Sequence, residues 1–260
     1  MEKLYDLLKR IFGVLLLLPP FVLAFFAGGI YFKLAVFLAL IILYYELYRL
    51  VTNRFNLYAF LFGVLAISVS FWKEEMIVSL LLLSLFGVIN YLMGFSVKEA
   101  LMLLAIVVFV LVPANILVDL REISIKLSAF VLATNWMFDT GAYLSGKLFG
   151  RRRIFTNISP GKTLEGLIGG ILTSVIVGGI LGHFFWSPGK VIGFSLTGLY
   201  IGILAQIGDL LESAIKREKG VKDSGRIMPG HGGLFDRVDS LLVSLMGFYL
   251  AFRIFKEFYL

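Results

Sequence analysis

The chain has 260 residues, of which 59% are hydrophobic and only 16% are charged. A soluble domain is about half apolar and about a quarter charged, so this composition excludes an ordinary soluble protein and indicates an integral membrane protein. The absence of cysteine excludes disulfides and thiolate chemistry, and the net charge of +7 belongs to residues between apolar runs, which favours membrane topology over nucleic-acid binding.

Nine apolar segments follow one another along the chain, and each has roughly the length of a membrane-spanning helix. A β-barrel would instead show short segments of alternating hydrophobicity. Pro19 and Pro20 should kink or break the first segment. We therefore predict an all-α, polytopic membrane protein with about nine transmembrane helices, at residues 11–28, 31–49, 55–71, 76–94, 98–118, 124–147, 163–186, 190–211 and 237–256.

The distribution of basic residues predicts the orientation of these spans. With the N-terminus in the cytoplasm, 17 of the 24 basic residues lie on the cytoplasmic side and 7 on the other. Lysine and arginine are enriched in cytoplasmic loops, so we predict a cytoplasmic N-terminus and a C-terminus outside. The two long polar loops, 147–162 and 212–236, then share the cytoplasmic face of the inner membrane of a bacterial-type cell.

The first polar loop and the helices beside it hold several candidate residues. Asp139 lies within an apolar span, where an unpaired charge is costly, so we expect it to face a polar cavity. Ser159 is predicted to be a helix N-cap with Pro160 at the first helical position. Lys162 would then stand at a helix N-terminus, where it suits a phosphate. The basic run 151–153 fits either topological charge or catalysis.

Small residues recur four positions apart in the seventh and eighth segments. The pairs are Gly166/Gly170, Gly178/Gly182 and Gly198/Gly202. Such spacings let helices approach closely, and the neighbouring helix belongs either to the same chain or to a second copy in a homodimer. Glu46, a lone carboxylate in an apolar segment, has no evident partner in the sequence.

Acidic residues lie on both sides of the second polar loop. Asp209, Ser213 and Lys216 share one face of a helix, with Glu212 beside them, while Asp236 and Asp239 open the last span three residues apart. A charged helix end that reaches water, or an acidic first turn favoured by the helix dipole, would explain either group alone. Oxygen ligands that converge from two helix ends would instead form a site for a hard cation such as Mg²⁺.

A glycine-rich turn at residues 229–233 directly precedes these last aspartates. Glycines let backbone N–H groups approach an anion, so the turn suits a phosphate or nucleotide. His231 within it fits a general base, a hydrogen-bond donor or a packed loop residue, of which the donor or structural role is favoured.

At these residues the chain resembles the phosphatidate cytidylyltransferases, also called CDP-diacylglycerol synthases. The resemblance is strong over about residues 135–240, and Met228 is a conservative departure from the family's usual residue. The upstream part of the match consists of Asp139, Ser159, Pro160, Lys162, Thr163, Glu165 and Gly166. The main signature consists of Ser213, Lys216, Arg217, Lys222, Asp223, Pro229, His231, Gly232, Gly233, Asp236, Arg237 and Asp239.

The resemblance implies transfer of a cytidylyl group from CTP to phosphatidic acid at the bilayer. It implies Mg²⁺, with Mn²⁺ as a substitute and room for a second cation, held by Asp209, Asp236 and Asp239, with Asp223 and Asp139 as weaker candidates. Lys216 and Arg217 join the three aspartates as expected catalytic residues. The expected substrate-binding residues are Lys162, Ser159, Ser213, Lys222, Asp223, His231, Gly232, Gly233 and Arg237. Residues 1–120 would form a hydrophobic helical region and 121–260 a catalytic helical region with the two cytoplasmic loops, within one membrane domain.

Three other functions remain open from the residues alone. A polyprenol kinase is another membrane phosphotransferase. A CDP-alcohol phosphatidyltransferase would carry a longer multi-aspartate motif, with a glycine-rich spacing that this chain lacks. An ion-coupled transporter would place its charges at mid-span and show inverted repeats, whereas the charges here crowd at the cytoplasmic ends of the spans.

Overall fold

The structure, a computed structural model, describes residues 18–52, 55–73, 76–225, 227 and 232–260. Within these residues the protein is all-helical, as predicted, and an isolated β-bridge pairs Arg153 with Thr163. Some predictions lie outside the described residues: the first part of segment 11–28, the first three residues of the glycine-rich turn 229–233, and the role of His231 within it.

In the described residues the chain forms helices of very different length. The helices are α1 (Leu18–Ala27), α2 (Gly29–Val51), α3 (Leu57–Lys73), α4 (Met76–Leu92), α5 (Val97–Ile123), α6 (Ile125–Phe149), α7 (Leu164–Phe185), α8 (Val191–Glu218), α9 (Phe235–Ile254) and α10 (Lys256–Tyr259). A 3₁₀ turn at Pro188–Lys190 leads into α8.

Four of these helices are long and apolar enough to cross a membrane: α2, α5, α7, and α8 together with its 3₁₀ turn. Three others, α1, α3 and α4, are apolar but shorter. The remaining long helices, α6 and α9, combine apolar residues with the polar and charged side chains of the site. The chain is therefore an integral membrane protein, and the count of nine spans stays a prediction.

Helix α8 continues seven residues beyond the predicted end of its span at Leu211. Residues 212–218 are mostly good helix formers, and Lys216 Nζ donates a hydrogen bond to Glu212 Oε1 at 2.7 Å, one turn earlier. Basic side chains in the last turn also complement the helix dipole. The helix ends at Glu218, and Gly220 then adopts a φ of 68°, as is common just after a helix.

The chain divides into two compact units, and the first contains residues up to Val118 together with Lys219–Arg237. Its core holds a cluster of aromatic rings between α2 and α3, in which Tyr44 stacks on Phe60 with ring centroids 5.2 Å apart. Lys219 Nζ donates to the carbonyl of Val51 at 2.7 Å. The segment that follows α8 is thus anchored at the end of α2.

The second unit contains Asp119–Glu218 and Val238–Leu260. Its helices α7 and α8 touch through glycine: a Cβ at Gly178 would lie 2.5 Å from the carbonyl oxygen of Phe194, and one at Gly198 would lie 2.2 Å from that of Ser174. The small-residue contacts at Gly178 and Gly198 therefore form between helices of the same chain. The division of the chain at residue 120 stays a prediction.

Candidate active site

Two carboxylates of the site lie on the last turns of α8. Because the helix runs to Glu218, Asp209 and Glu212 are both helical and lie about one turn apart. Glu212 is buried, with 3% of its surface exposed, whereas the Asp209 side chain is 30% exposed. Ser213, Lys216 and Arg217, predicted from the same pattern, follow on the same helix.

A third carboxylate comes from α9. Asp239 joins Asp209 and Glu212 in a cluster whose oxygen atoms all lie within 4.8 Å of one another. The two helices approach closely here because Gly208 has no side chain: a Cβ would lie 2.6 Å from the carbonyl oxygen of Asp239. Three carboxylate oxygens at this spacing fit a hard divalent cation. We call Asp209, Glu212 and Asp239 the carboxylate cluster.

Two lysines contact the carboxylate cluster. Lys162 Nζ forms a salt bridge with Asp209 Oδ2, and Lys216 Nζ forms one with Glu212 Oε1 at 2.7 Å. The Lys162 side chain is 18% exposed, so this pair is only partly open to water. Three negative charges are thus partly balanced by two positive ones, which leaves the cluster suited to a further cation.

A chain of hydrogen bonds links α6 to α9 next to Asp239. Asn135 Nδ2 donates to Ser240 Oγ at 2.9 Å, and Ser240 Oγ donates to Asp139 Oδ2 at 3.1 Å. Ser244 Oγ donates in turn to Asn135 Oδ1 at 2.7 Å. Asn135, Ser240 and Ser244 are each at most 1% exposed. Asp139, expected to face a polar environment within its span, therefore has a polar partner on α9.

The loop before α7 differs from its prediction in one respect. Ser159 is not the N-cap and Pro160 is not in the helix, because α7 begins at Leu164 and Thr163 Oγ1 accepts the capping bond from Gly166 N at 3.1 Å. The reason is backbone pairing: Leu164 N donates to Arg152 O at 2.8 Å, and Ile154 N donates to Lys162 O at 3.0 Å.

This pairing fixes the backbone of Lys162 just before the helix, and from there its side chain reaches Asp209. The basic run beside it is anchored by its main chain, since the N–H groups of Arg151 and Arg152 donate to the carboxylate of Glu165. Arg217 Nε donates to the carbonyl of Ile158 at 3.3 Å, so α8 also contacts this loop.

In the first unit, Asp236 accepts hydrogen bonds from two residues that precede α9. Ser224 N and Gly233 N donate to Asp236 Oδ2 at 3.0 and 2.8 Å, and Ser224 Oγ donates to the same oxygen at 3.1 Å. Gly232 adopts a φ of 86°, a conformation that favours glycine. The predicted ligand Asp236 thus fixes the backbone at Ser224 and Gly233. Lys222, Asp223 and Arg237 are exposed.

The structure places two further acidic residues at these sites, and the sequence alone assigned neither of them a role. Glu212 was seen only as a neighbour of Asp209, although its spacing of three residues already predicts a shared helix face. Glu46 was unassigned, and its carboxylate accepts hydrogen bonds from Leu234 N and Phe235 N. Only an isolated acidic residue in an apolar helix marked Glu46 in the sequence.

Comparison with known proteins gives consistent matches. A model of the cytidylyltransferase family matches residues 8–255. A phosphatidate cytidylyltransferase of Staphylococcus epidermidis is 32% identical over 249 residues, which cover 92% of this chain and 94% of the relative.

Two further relatives match over shorter ranges. A phosphatidate cytidylyltransferase of Haemophilus influenzae is 41% identical over 120 residues, 45% of this chain and 42% of the relative. The uncharacterized protein YnbB of Escherichia coli is 48% identical over 124 residues, 48% of this chain and 41% of the relative, so these two alignments span less than half of either protein. The family match over nearly the whole length, together with the S. epidermidis relative, shows that the chain belongs to the cytidylyltransferase family.

Proposed function

We propose that this protein transfers the cytidylyl group of CTP to phosphatidic acid, forming CDP-diacylglycerol and pyrophosphate in phospholipid biosynthesis. The observation that carries the proposal is the carboxylate cluster with its two lysines, in a chain that belongs to the cytidylyltransferase family. The full-length relative from S. epidermidis is named for this activity. Neither a polyprenol kinase nor a transporter is favoured by these relatives.

We propose that the carboxylate cluster holds Mg²⁺, for which Mn²⁺ is a substitute, with room for a second cation. All three side chains offer carboxylate oxygens, the donors that Mg²⁺ prefers, and Mg²⁺ commonly shares its coordination with substrate phosphates. A cation bound there would neutralise charge on the reacting phosphates. Asp236, Asp223 and Asp139 stay predicted ligands.

In the proposed reaction a phosphate oxygen of the lipid attacks the α-phosphorus of CTP. The new bond joins that oxygen to the α-phosphorus, and the bond from the α-phosphorus to the oxygen that bridges to the β-phosphorus breaks, which releases pyrophosphate. Such a transfer depends mainly on positioning and charge neutralisation, so it needs no nucleophile from the protein.

The two lysines of the site have a specific part in this scheme. In the structure they balance carboxylates. A cation held by Asp209, Glu212 and Asp239 would balance these carboxylates, and the ammonium groups of Lys162 and Lys216 would then be available to phosphate oxygens. This exchange of partners would couple binding of the cation to binding of the nucleotide.

The remaining site residues are proposed from the family resemblance. Basic side chains would hold the triphosphate or the lipid phosphate, and glycine N–H groups, hydroxyls and polar side chains would complete the substrate contacts. The basic residues are Arg217, Lys222 and Arg237, and the others are Ser159, Ser213, Asp223, His231, Gly232 and Gly233.

We further propose nine spans, a cytoplasmic N-terminus and an active site on the cytoplasmic side of the inner membrane. The bias of basic residues toward the loops that carry the site supports this orientation. A homodimer stays a prediction from the glycine-rich spans.

The proposed function is tested with CTP labelled at either the α- or the γ-phosphorus, incubated with purified protein, phosphatidic acid and Mg²⁺. Cytidylyl transfer puts the α label into the lipid and the γ label into pyrophosphate. A lipid kinase would put the γ label into the lipid. Either γ-labelled lipid or the absence of any labelled lipid would contradict the proposal.

A further inference from the structure

Glu46 is a buried carboxylate that the proposed reaction does not use. It lies on α2, between residues that are mostly apolar, and only 1% of its surface is exposed. A buried charge is costly unless hydrogen bonds compensate it. The partners of this carboxylate therefore indicate why an acidic side chain occupies the position.

Those partners are backbone N–H groups at the start of α9. Leu234 N donates to Glu46 Oε1 and Phe235 N donates to Oε2, both at 2.9 Å. The first N–H groups of a helix have no acceptor within the helix, so they need one from elsewhere. Here a side chain 188 residues earlier supplies it, with one oxygen for each donor.

Two glycines show how closely the segment packs on this carboxylate. A Cβ at Gly225 would lie 2.7 Å from Glu46 Oε1 and 3.0 Å from its carboxyl carbon. A Cβ at Gly233 would lie 2.7 and 2.9 Å from the two oxygens, and 2.1 Å from Ser224 Oγ. A side chain at either position would therefore push the Glu46 carboxylate away from its present place.

The donors of the segment are shared between two carboxylates. Glu46 accepts from Leu234 and Phe235, while Asp236 accepts from Ser224 and Gly233. Asp236 can face Ser224 and Gly233 only if the first turn of α9 is held in place. Glu46 contacts the start of that turn from α2, through Leu234 N and Phe235 N.

We infer that Glu46 is a positioning residue, which fixes Gly233, Leu234 and the first turn of α9 and thereby the placement of Asp236. The inference rests on the proposed function, in which segment 219–237 contributes to binding CTP. Loss of Glu46 should therefore weaken nucleotide binding more than it weakens the fold.

The first test is hydrogen exchange of the substrate-free protein, compared between the wild type and Glu46→Gln. Glutamine keeps the shape of the glutamate side chain but replaces one of its two accepting oxygens with an NH₂ group. The backbone amides of residues 232–238 should therefore exchange faster than in the wild type. The control is Glu99→Gln, because Glu99 also accepts from a backbone N–H at a helix start, that of Ser96 at 2.9 Å. This control should leave residues 232–238 unchanged.

The second test is kinetic. Hydrogen bonds to charged groups are strong enough that Glu46→Gln should raise the KM for CTP by about tenfold, while Glu99→Gln leaves it unchanged. Gly225→Ala crowds the Glu46 carboxylate without removing its charge, so it should also raise the KM for CTP. This variant provides the test if Glu46→Gln does not fold.

Three outcomes separate the alternatives. Unchanged exchange at 232–238 with an unchanged KM would overturn the inference, even if the α-labelled CTP assay succeeds. Faster exchange throughout the chain, without a specific change at 232–238, would make Glu46 a general packing residue and also overturn it. A wild type that cannot transfer the α label would refute the proposed function instead, whatever the exchange result.

Discussion

At the scale of single residues, the sequence indicated Asp209 and Asp239 but not the third member of the carboxylate cluster. Glu212 forms an ion pair with Lys216 four residues later, a pattern typical of an exposed helix surface. Its role became visible only because α8 continues past the apolar run. Glu46 was beyond prediction for another reason, since its partners lie 188 residues away and are backbone groups without a sequence signature.

The cluster makes a direct prediction for Asp239→Asn. The change removes one negative charge and one good ligand oxygen, so turnover should fall by about 100-fold or more, as when a preorganised charge is removed from an active site. The unfolding midpoint should change little, because the amide has nearly the same shape. Initial rates in the α-labelled CTP assay measure the effect.

The matched control for this prediction is Glu257→Gln, which neutralises an exposed carboxylate on α10. It should keep the wild-type rate. An Asp239→Asn protein that retains turnover within a few-fold of the wild type would remove Asp239 from the cation site.

At the scale of elements, hydropathy predicted where the apolar runs lie better than where the helices end. The predicted span 190–211 marked the apolar part of α8, but helix-forming charged residues carry the helix on to Glu218. The start of α7 was predicted wrongly because Ser159 and Thr163 are both suitable N-caps. The pairing of residues 152–154 with 162–164 decides between them, and that pairing depends on the tertiary fold.

Alanine substitutions at two glycines should have opposite effects, because Gly198 lies at the contact between α7 and α8 whereas Gly87 on α4 has room beside it for a Cβ. Alanine is favoured over glycine inside a helix by about 1 kcal/mol, so Gly87→Ala, where the nearest atom would be 3.9 Å from the new Cβ, should keep or raise the unfolding midpoint. At Gly198 the new Cβ would meet backbone 2.2 Å away, and overpacking costs about 1–3 kcal/mol, so Gly198→Ala should lower it.

Thermal unfolding of both variants in the same detergent provides the comparison. Equal midpoints for the two would show that α7 and α8 do not pack as closely as described.

At the scale of the whole molecule, composition was sufficient to predict an all-helical membrane protein, and the spacing of apolar runs predicted the order of its helices. The number of spans is harder to predict, because α1, α3 and α4 are short and the polar residues of α6 and α9 serve the site. The positive-inside bias predicts orientation independently of these lengths.

The absence of cysteine makes this orientation measurable with single introduced cysteines. Asn157→Cys lies in the loop before α7, and Gly189→Cys lies between α7 and α8, where a side chain has room. In intact cells a membrane-impermeant thiol reagent should label position 189 but not 157, and permeabilisation should expose 157. The reverse pattern would invert the proposed topology.

The most direct test of the central claim is the rate of α-label transfer from CTP to phosphatidic acid by wild-type protein after divalent cations have been removed with a chelator. If the carboxylate cluster binds a divalent cation that the reaction requires, the rate should fall to background and return when Mg²⁺ or Mn²⁺ is added. An undiminished rate after complete chelation would contradict the account.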